Sequence, residues 1–155
     1  MSLINFKVHH VKGVQDLQKK LRELGNNAEE ARRKAVQDAV FLIHATAVNL
    51  IQDNSSGVPQ KRYTNGKSRM VLASKPGDPP NTDTGRLVQS IKFEFSNDYA
   101  IGSVGTNLKY GKHLEYGTRT MAARPWLSRA IRICQKDIEK MFRAAINKVV
   151  KEAGR

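Results

Sequence analysis

The chain is poor in cysteine, tryptophan and acidic residues. One Cys and one Trp occur in 155 residues, and aromatics make up 6%. Cys134 has no partner for an internal disulfide, which suits a reducing compartment and excludes a cysteine-based zinc site. Only 14 Asp and Glu stand against 27 Lys and Arg, a formal charge of +13. That imbalance favours a polyanion or an acidic protein surface as partner and says nothing about fold. No run approaches the roughly 18 apolar residues of a membrane span. Residues 1–10 hold no basic segment followed by an apolar stretch, so the expectation is a soluble cytoplasmic protein with no membrane contact.

Motifs for chemistry are equally sparse. Gly66-Lys67-Ser68 resembles the end of a phosphate-binding loop, but the glycine required five positions earlier is Lys61. His113 and Glu115 lie two apart and diverge on a helix, whereas on a strand they could converge on a metal. His9, His10 and His44 form no visible cluster with other ligands. Cys134 falls on an apolar helical stripe, the setting of an inert buried thiol. Ser90 and Ser103 lack the surroundings of a nucleophile elbow. The expectation is no cofactor, no metal and no enzymatic activity. The enzymatic alternative is a metal-dependent nuclease using His113 and Glu115.

What the chain does have is periodicity. Residues 3–8 alternate like a half-buried strand. Val14, Leu17, Leu21 and Leu24 recur at helical spacing before Gly25, a candidate C-cap. Asn27, with Glu30 three residues on, can cap a second helix over 28–51, with Val36, Val40, Ile43, Ala47 and Leu50 on its core face. Residues 53–83 lose this pattern, and a mobile, basic, Pro/Gly-rich loop is expected there, with Asn65-Gly66 suited to a type I′ hairpin turn. Thr84 can cap a helical turn carrying Leu87 and Ile91. Ile91, Phe93 and Phe95 alternate with polar residues, and Asn97-Asp98 offers a turn into a second strand over 99–105. A short helix over 110–116 should end at Gly117. Pro125 suits the first turn of a last helix whose stripe is Ile131, Cys134, Ile138, Met141, Ala145 and Val149. The layout predicts a single α+β domain over 1–155: a small antiparallel sheet packed against two long amphipathic helices, with a long central loop or arm.

Five fragments follow one another between residues 74 and 127: Lys75-Pro76-Gly77-Asp78-Pro79-Pro80; Asp83-Thr84-Gly85-Arg86-Leu87 with Ser90-Ile91; Val104-Gly105-Thr106-Asn107 with Tyr110-Gly111; Leu114-Glu115-Tyr116-Gly117-Thr118; and Ala123-Arg124-Pro125-Trp126-Leu127. In this order and spacing the chain resembles the tail-completion and neck-protein family of long-tailed bacteriophages. The resemblance implies a virion assembly subunit that completes the tail or joins tail to head. Several copies would form a hexamer-like ring around the DNA path, in contact with phage tail and connector proteins. It also implies assembly in the host cytoplasm and residence in the virion neck or tail.

The motif residues named for subunit contact are Pro76, Gly77, Pro79, Pro80, Thr84, Gly85, Leu87, Ser90, Gly105, Thr106, Tyr110, Glu115, Tyr116, Gly117, Thr118, Arg124, Pro125 and Trp126. Lys61, Arg62, Lys67, Arg69, Lys75 and Arg119 are the candidates for contact with DNA or an acidic partner. Charge alone supports one alternative, a general basic nucleic-acid-binding protein, and the resemblance admits another placement within the same family, as a minor tail component away from the neck.

Overall fold

The computed structural model describes residues 14–54 and 56–154; the strand expected over 3–8 lies outside them. The described chain runs as α1 (Val14–Gln52), β1 (Val58–Thr64), β2 (Lys67–Ala73), α2 (Arg86–Ser90), β3 (Ile91–Phe95), β4 (Gly102–Thr106), α3 (Lys109–Tyr116) and α4 (Leu127–Ala153). The expected α+β class is present, with a long helix towards each end of the described chain. Its strands form two separate two-stranded antiparallel sheets, β1–β2 and β3–β4.

The break expected between two helices at Gly25 is absent, because α1 passes through it as one helix of 39 residues. Gly25 does not adopt the positive φ that a glycine cap uses. A mid-helix glycine costs only about 1 kcal/mol relative to alanine. The next turn is rich in helix formers, and Glu29 pairs there with both Arg32 and Arg33, which favours continuation. Asn27 is therefore an interior residue, not a cap.

Helices α1 and α4 pack antiparallel. Cys134 of α4 meets Thr46 of α1 with Sγ 3.2 Å from Oγ1, while Val149 and Glu152 share a cleft with Asn27 and Glu30. The contact is made by small side chains: Ala35, Ala39 and Ala47 on one helix, Ala130 and Cys134 on the other, all buried. This shifts the centre of the α1 stripe towards Ala35 and Ala39. Val40 and Ala47 of the expected α1 face are buried, while Val36, Ile43 and Leu50 are half-buried beside the alanines. On α4 the expected face holds through Cys134, Ile138, Met141, Ala145 and Val149, and Ile131 alone is exposed, because close approach of the axes requires the smallest residues at the seam. The first turns of α1 extend past the end of α4, leaving Leu21 58% exposed.

The β3–β4 hairpin lies on α1. Its inner face presents Ile91, Phe93 and Phe95, and Phe93 meets Phe41 edge-on at 5.1 Å between ring centroids. At Gly102 an added Cβ would fall 2.2 Å from Val40, so only glycine admits this approach to α1. The second strand starts later than expected because Asp98 ties the turn together, accepting from the Ser96 hydroxyl and the Ala100 amide.

Within 53–83 the chain builds a hairpin and an anchored prolyl segment. Asn65 and Gly66 have φ of 50° and 75°, the left-handed pair a type I′ turn requires. The β1–β2 hairpin meets the body along one face, where the Asn81 side chain donates to Leu72 O at 3.0 Å. Pro79 and Pro80 are buried at the end of α1, where the Asn54 side chain donates to the Pro79 carbonyl at 2.5 Å and the Thr82 hydroxyl to that of Ile51 at 3.1 Å.

Candidate assembly surface

The first amides of any helix lack intrahelical acceptors. At α4 neither an acidic residue in the first turn nor the cap residue Trp126 provides one. The acceptor comes from the last turn of α3. Glu115 Oε2 accepts from the amides of Trp126 at 2.8 Å and Leu127 at 2.9 Å, and Oε1 from that of Ser128 at 2.9 Å. The side chain is held in place by burial, being 9% exposed. Burial by itself would push the carboxyl pKa up. The Ser128 side chain and the three amides outweigh that effect and hold the carboxyl below the usual glutamate range.

The chain returns from α3 to α4 through Gly117, whose φ is 75° and where an added Cβ would lie 2.8 Å from the Met121 carbonyl oxygen. Thr118 closes the turn: its amide donates to Met121 O at 2.8 Å, and its hydroxyl accepts from the Met121 amide at 3.1 Å. Arg124 then donates its amide to Leu114 O at 2.6 Å and its Nε to Ser74 O at 3.2 Å. One turn further back, Gly77 donates its amide to Ala123 O at 2.9 Å. The prolyl segment and the α3–α4 connection are thus fastened to each other.

Trp126 is 2% exposed and packs with Ala47, Ile51, Leu87, Ile91 and Ala130. Its indole N–H donates to Gly111 O at 3.3 Å. Gly111 is required here because a Cβ would come within 2.6 Å of the Thr106 methyl. The Thr106 hydroxyl lies 2.6 Å from that of Ser90, which itself donates to Leu87 O at 2.7 Å. Sequence fragments far apart in the chain therefore converge on one seam.

The capping roles expected of Thr84 and Pro125 change, while other motif residues stay at the surface. Thr84 is exposed and does not cap α2; Gly85 occupies that position with φ 73° and no side-chain cap bond. Pro125 precedes the cap residue Trp126 and lies outside the first turn of α4. Pro76, Tyr110 and Tyr116 are exposed, Gly77 is an exposed turn, and Gly105 lies half-exposed in β4. His113 is exposed on α3, whereas both oxygens of Glu115 are committed to amides, so the two do not form a joint ligand pair. Among the described residues no group of three or more His, Cys, Asp or Glu is placed to hold a metal ion.

The basic candidates divide. Arg62 and Arg69 sit directly opposite each other across the hairpin, and both reach Asp83, with Arg62 at 2.6 Å. Like charges in this position repel, and Asp83 offsets the repulsion and holds the hairpin to the body. Lys61, Lys67, Lys75 and Arg119 are exposed and enter no ion pair among the described residues. Asp83 was missed as a functional position, although Arg62 and Arg69 lie symmetrically about Asn65-Gly66 and so signal a shared counter-ion. Asp83→Ala is expected to change global stability by less than about 1 kcal/mol, as exposed pairs do. Tryptic cleavage within the hairpin should rise several-fold; an unchanged cleavage rate would show that Asp83 does not hold it.

The motif side chains are thus largely committed to capping, turning and packing. Residues 15–117 match the family model described as Bacteriophage HK97-gp10, putative tail-component, and the chain belongs to this HK97-gp10-like family. The match takes in α1 through α3 and ends at Gly117, so α4 lies beyond it. No curated protein and no solved structure matches the chain. It is accordingly a structural component of a phage tail. No helix among the described residues is long and apolar enough to cross a membrane.

Proposed function

We propose that this chain is a non-enzymatic assembly subunit that completes the phage tail or joins it to the head. It acts as one of several copies in a hexamer-like ring around the DNA path, in contact with tail and connector proteins. The observation that supports this reading is the β1–β2 hairpin: its outer face carries long exposed side chains, Lys61, Tyr63, Met70 and Leu72, an arrangement suited to a neighbouring subunit. The chain folds as one domain, and the hairpin is the part offered to a neighbour on assembly, since Pro79, Pro80 and Asn54 are fastened to α1.

The test is removal of the protein from its phage. Filled heads and tails should accumulate unjoined, and addition of purified protein should restore joined particles. Normal, joined, infectious particles made in its absence would overturn the reading. A second reading, direct contact with packaged DNA, is favoured by the unpaired Lys61, Lys67, Lys75 and Arg119. DNA binding by the assembled ring should then weaken steeply as salt rises, because phosphate contacts release counterions.

A further inference from the structure

The register of β1–β2 sorts its side chains onto two faces. Gln60 with Val71 and Arg62 with Arg69 face the body and Asp83. Pro59 with Leu72, Lys61 with Met70, and Tyr63 with Ser68 form the other face, and all six are exposed. Tyr63 is 71% and Met70 65% exposed, a large apolar commitment for one side of a hairpin. An isolated two-stranded hairpin is marginal in water and gains stability from a further packed layer.

A complementary surface lies on the outer face of β3–β4, formed by Lys92, Glu94, Ser103 and Gly105. Among the described residues nothing requires a glycine at position 105. Its φ is not positive, and a Cβ built there meets nothing within 4 Å. Glycine weakens a strand, and one that its own fold does not require marks a place where another chain comes close. Diagonal to it stands Glu94, exposed and in no ion pair among the described residues. On the hairpin, Lys61 lies with its ammonium 5.6 Å from the Tyr63 ring centroid, two residues away on the same face. That repeat, about 7 Å along a strand, matches the step from Ser103, opposite Glu94, to Gly105.

We propose that the hairpin of one copy docks on the β3–β4 face of a second copy, Tyr63 covering Gly105 and Lys61 meeting Glu94. Charge complementarity favours a second copy as the occupant, because Glu94, exposed beside the glycine, and Lys61, exposed on the hairpin, are opposite charges that enter no ion pair among the described residues of their own chain. The two surfaces differ, so the contact is heterologous; each subunit offers its hairpin to one neighbour and its sheet to the other, which closes a ring if the rotation allows. The proposal rests on the ring reading and specifies its contact.

Two measurements test it on the full chain. Gly105→Val should fold with an unchanged or higher melting temperature, since its side chain enters open space and valine suits a strand, yet ring formation should weaken at least tenfold. Separately prepared Lys61→Cys and Glu94→Cys chains, mixed under mild oxidation, should form a disulfide-linked heterodimer in the ring fraction. The native Cys134 is buried and serves as the silent background. Rings that form normally from Gly105→Val, or that yield no Lys61→Cys to Glu94→Cys link, overturn the hairpin contact while leaving the ring reading intact. A parent chain that stays monomeric even with tail proteins present overturns both.

Discussion

Replacing Glu115 with alanine should lower the unfolding free energy by about 3 kcal/mol, the loss expected when a helix cap is removed and shielded amides lose a charged acceptor. Three amides, those of Trp126, Leu127 and Ser128, depend on this one carboxylate. Its charge also favours the positive end of the α4 dipole. Urea titration should show a lower midpoint with an unchanged slope. Glu115→Gln keeps one acceptor oxygen but turns an amino group towards the remaining amides, so it should recover only part of the loss. The pH dependence follows from the lowered folded-state pKa. The Glu115 contribution is fully present above the ordinary glutamate pKa and is lost as pH falls through the lower folded value. In Glu115→Ala that part of the acid sensitivity should vanish. An unchanged midpoint in the alanine variant would mean that water replaces the carboxylate without cost.

Trp126→Ala should be at least as damaging, at about 4 kcal/mol, the range for emptying a buried aromatic site. The indole fills the junction of α1, α2, β3 and α4, in one buried cluster with Ile51, Leu87, Ile91 and Ala130. Trp126→Phe retains most of the buried area and loses the bond to Gly111 O, so about 1–2 kcal/mol is expected. Because the chain has a single tryptophan, its emission reports on this site alone. In the native protein it should be blue-shifted and shielded from iodide, and should shift red in the same transition that melts the helices. A separate, earlier red shift would show that the junction opens independently of the α1–α4 seam.

Much of the local structure could be read from residue order. The Asn65-Gly66 turn, the strand over Ile91–Phe95, the short helix before Gly117 and the long last helix each carry short-range signals that the fold retains. The misreading at Gly25 shows where such signals fail. A glycine near the end of an apolar stripe looks like a cap, yet whether it takes a left-handed φ depends on the competing stability of the continuing helix. Cys134 and Ala47 were legible as core positions, but periodicity does not reveal that Ala35, Ala39 and Ala130 also occupy the seam while larger neighbours flank it.

The candidate surface was legible as residues and not as roles. Glu115 was recognisable as part of a motif, but its function as the cap of a helix that begins 12 residues later depends on the chain reversal at Gly117. Arg62 and Arg69 read as free cations until the hairpin register set both against Asp83.

The amino-acid order alone determined the basic surplus, the lone thiol, the helical and strand periodicities and the motif succession, since each depends on identity and short spacing. Tertiary structure decided which polar groups are occupied and which remain open. It assigned Glu115 to the α4 amides and Asp83 to two arginines, and it left Lys61, Tyr63, Glu94 and Gly105 facing outward. The physical reason is that desolvation and hydrogen bonding depend on through-space neighbours, which chain separations of 12 or 21 residues conceal until the fold brings them together.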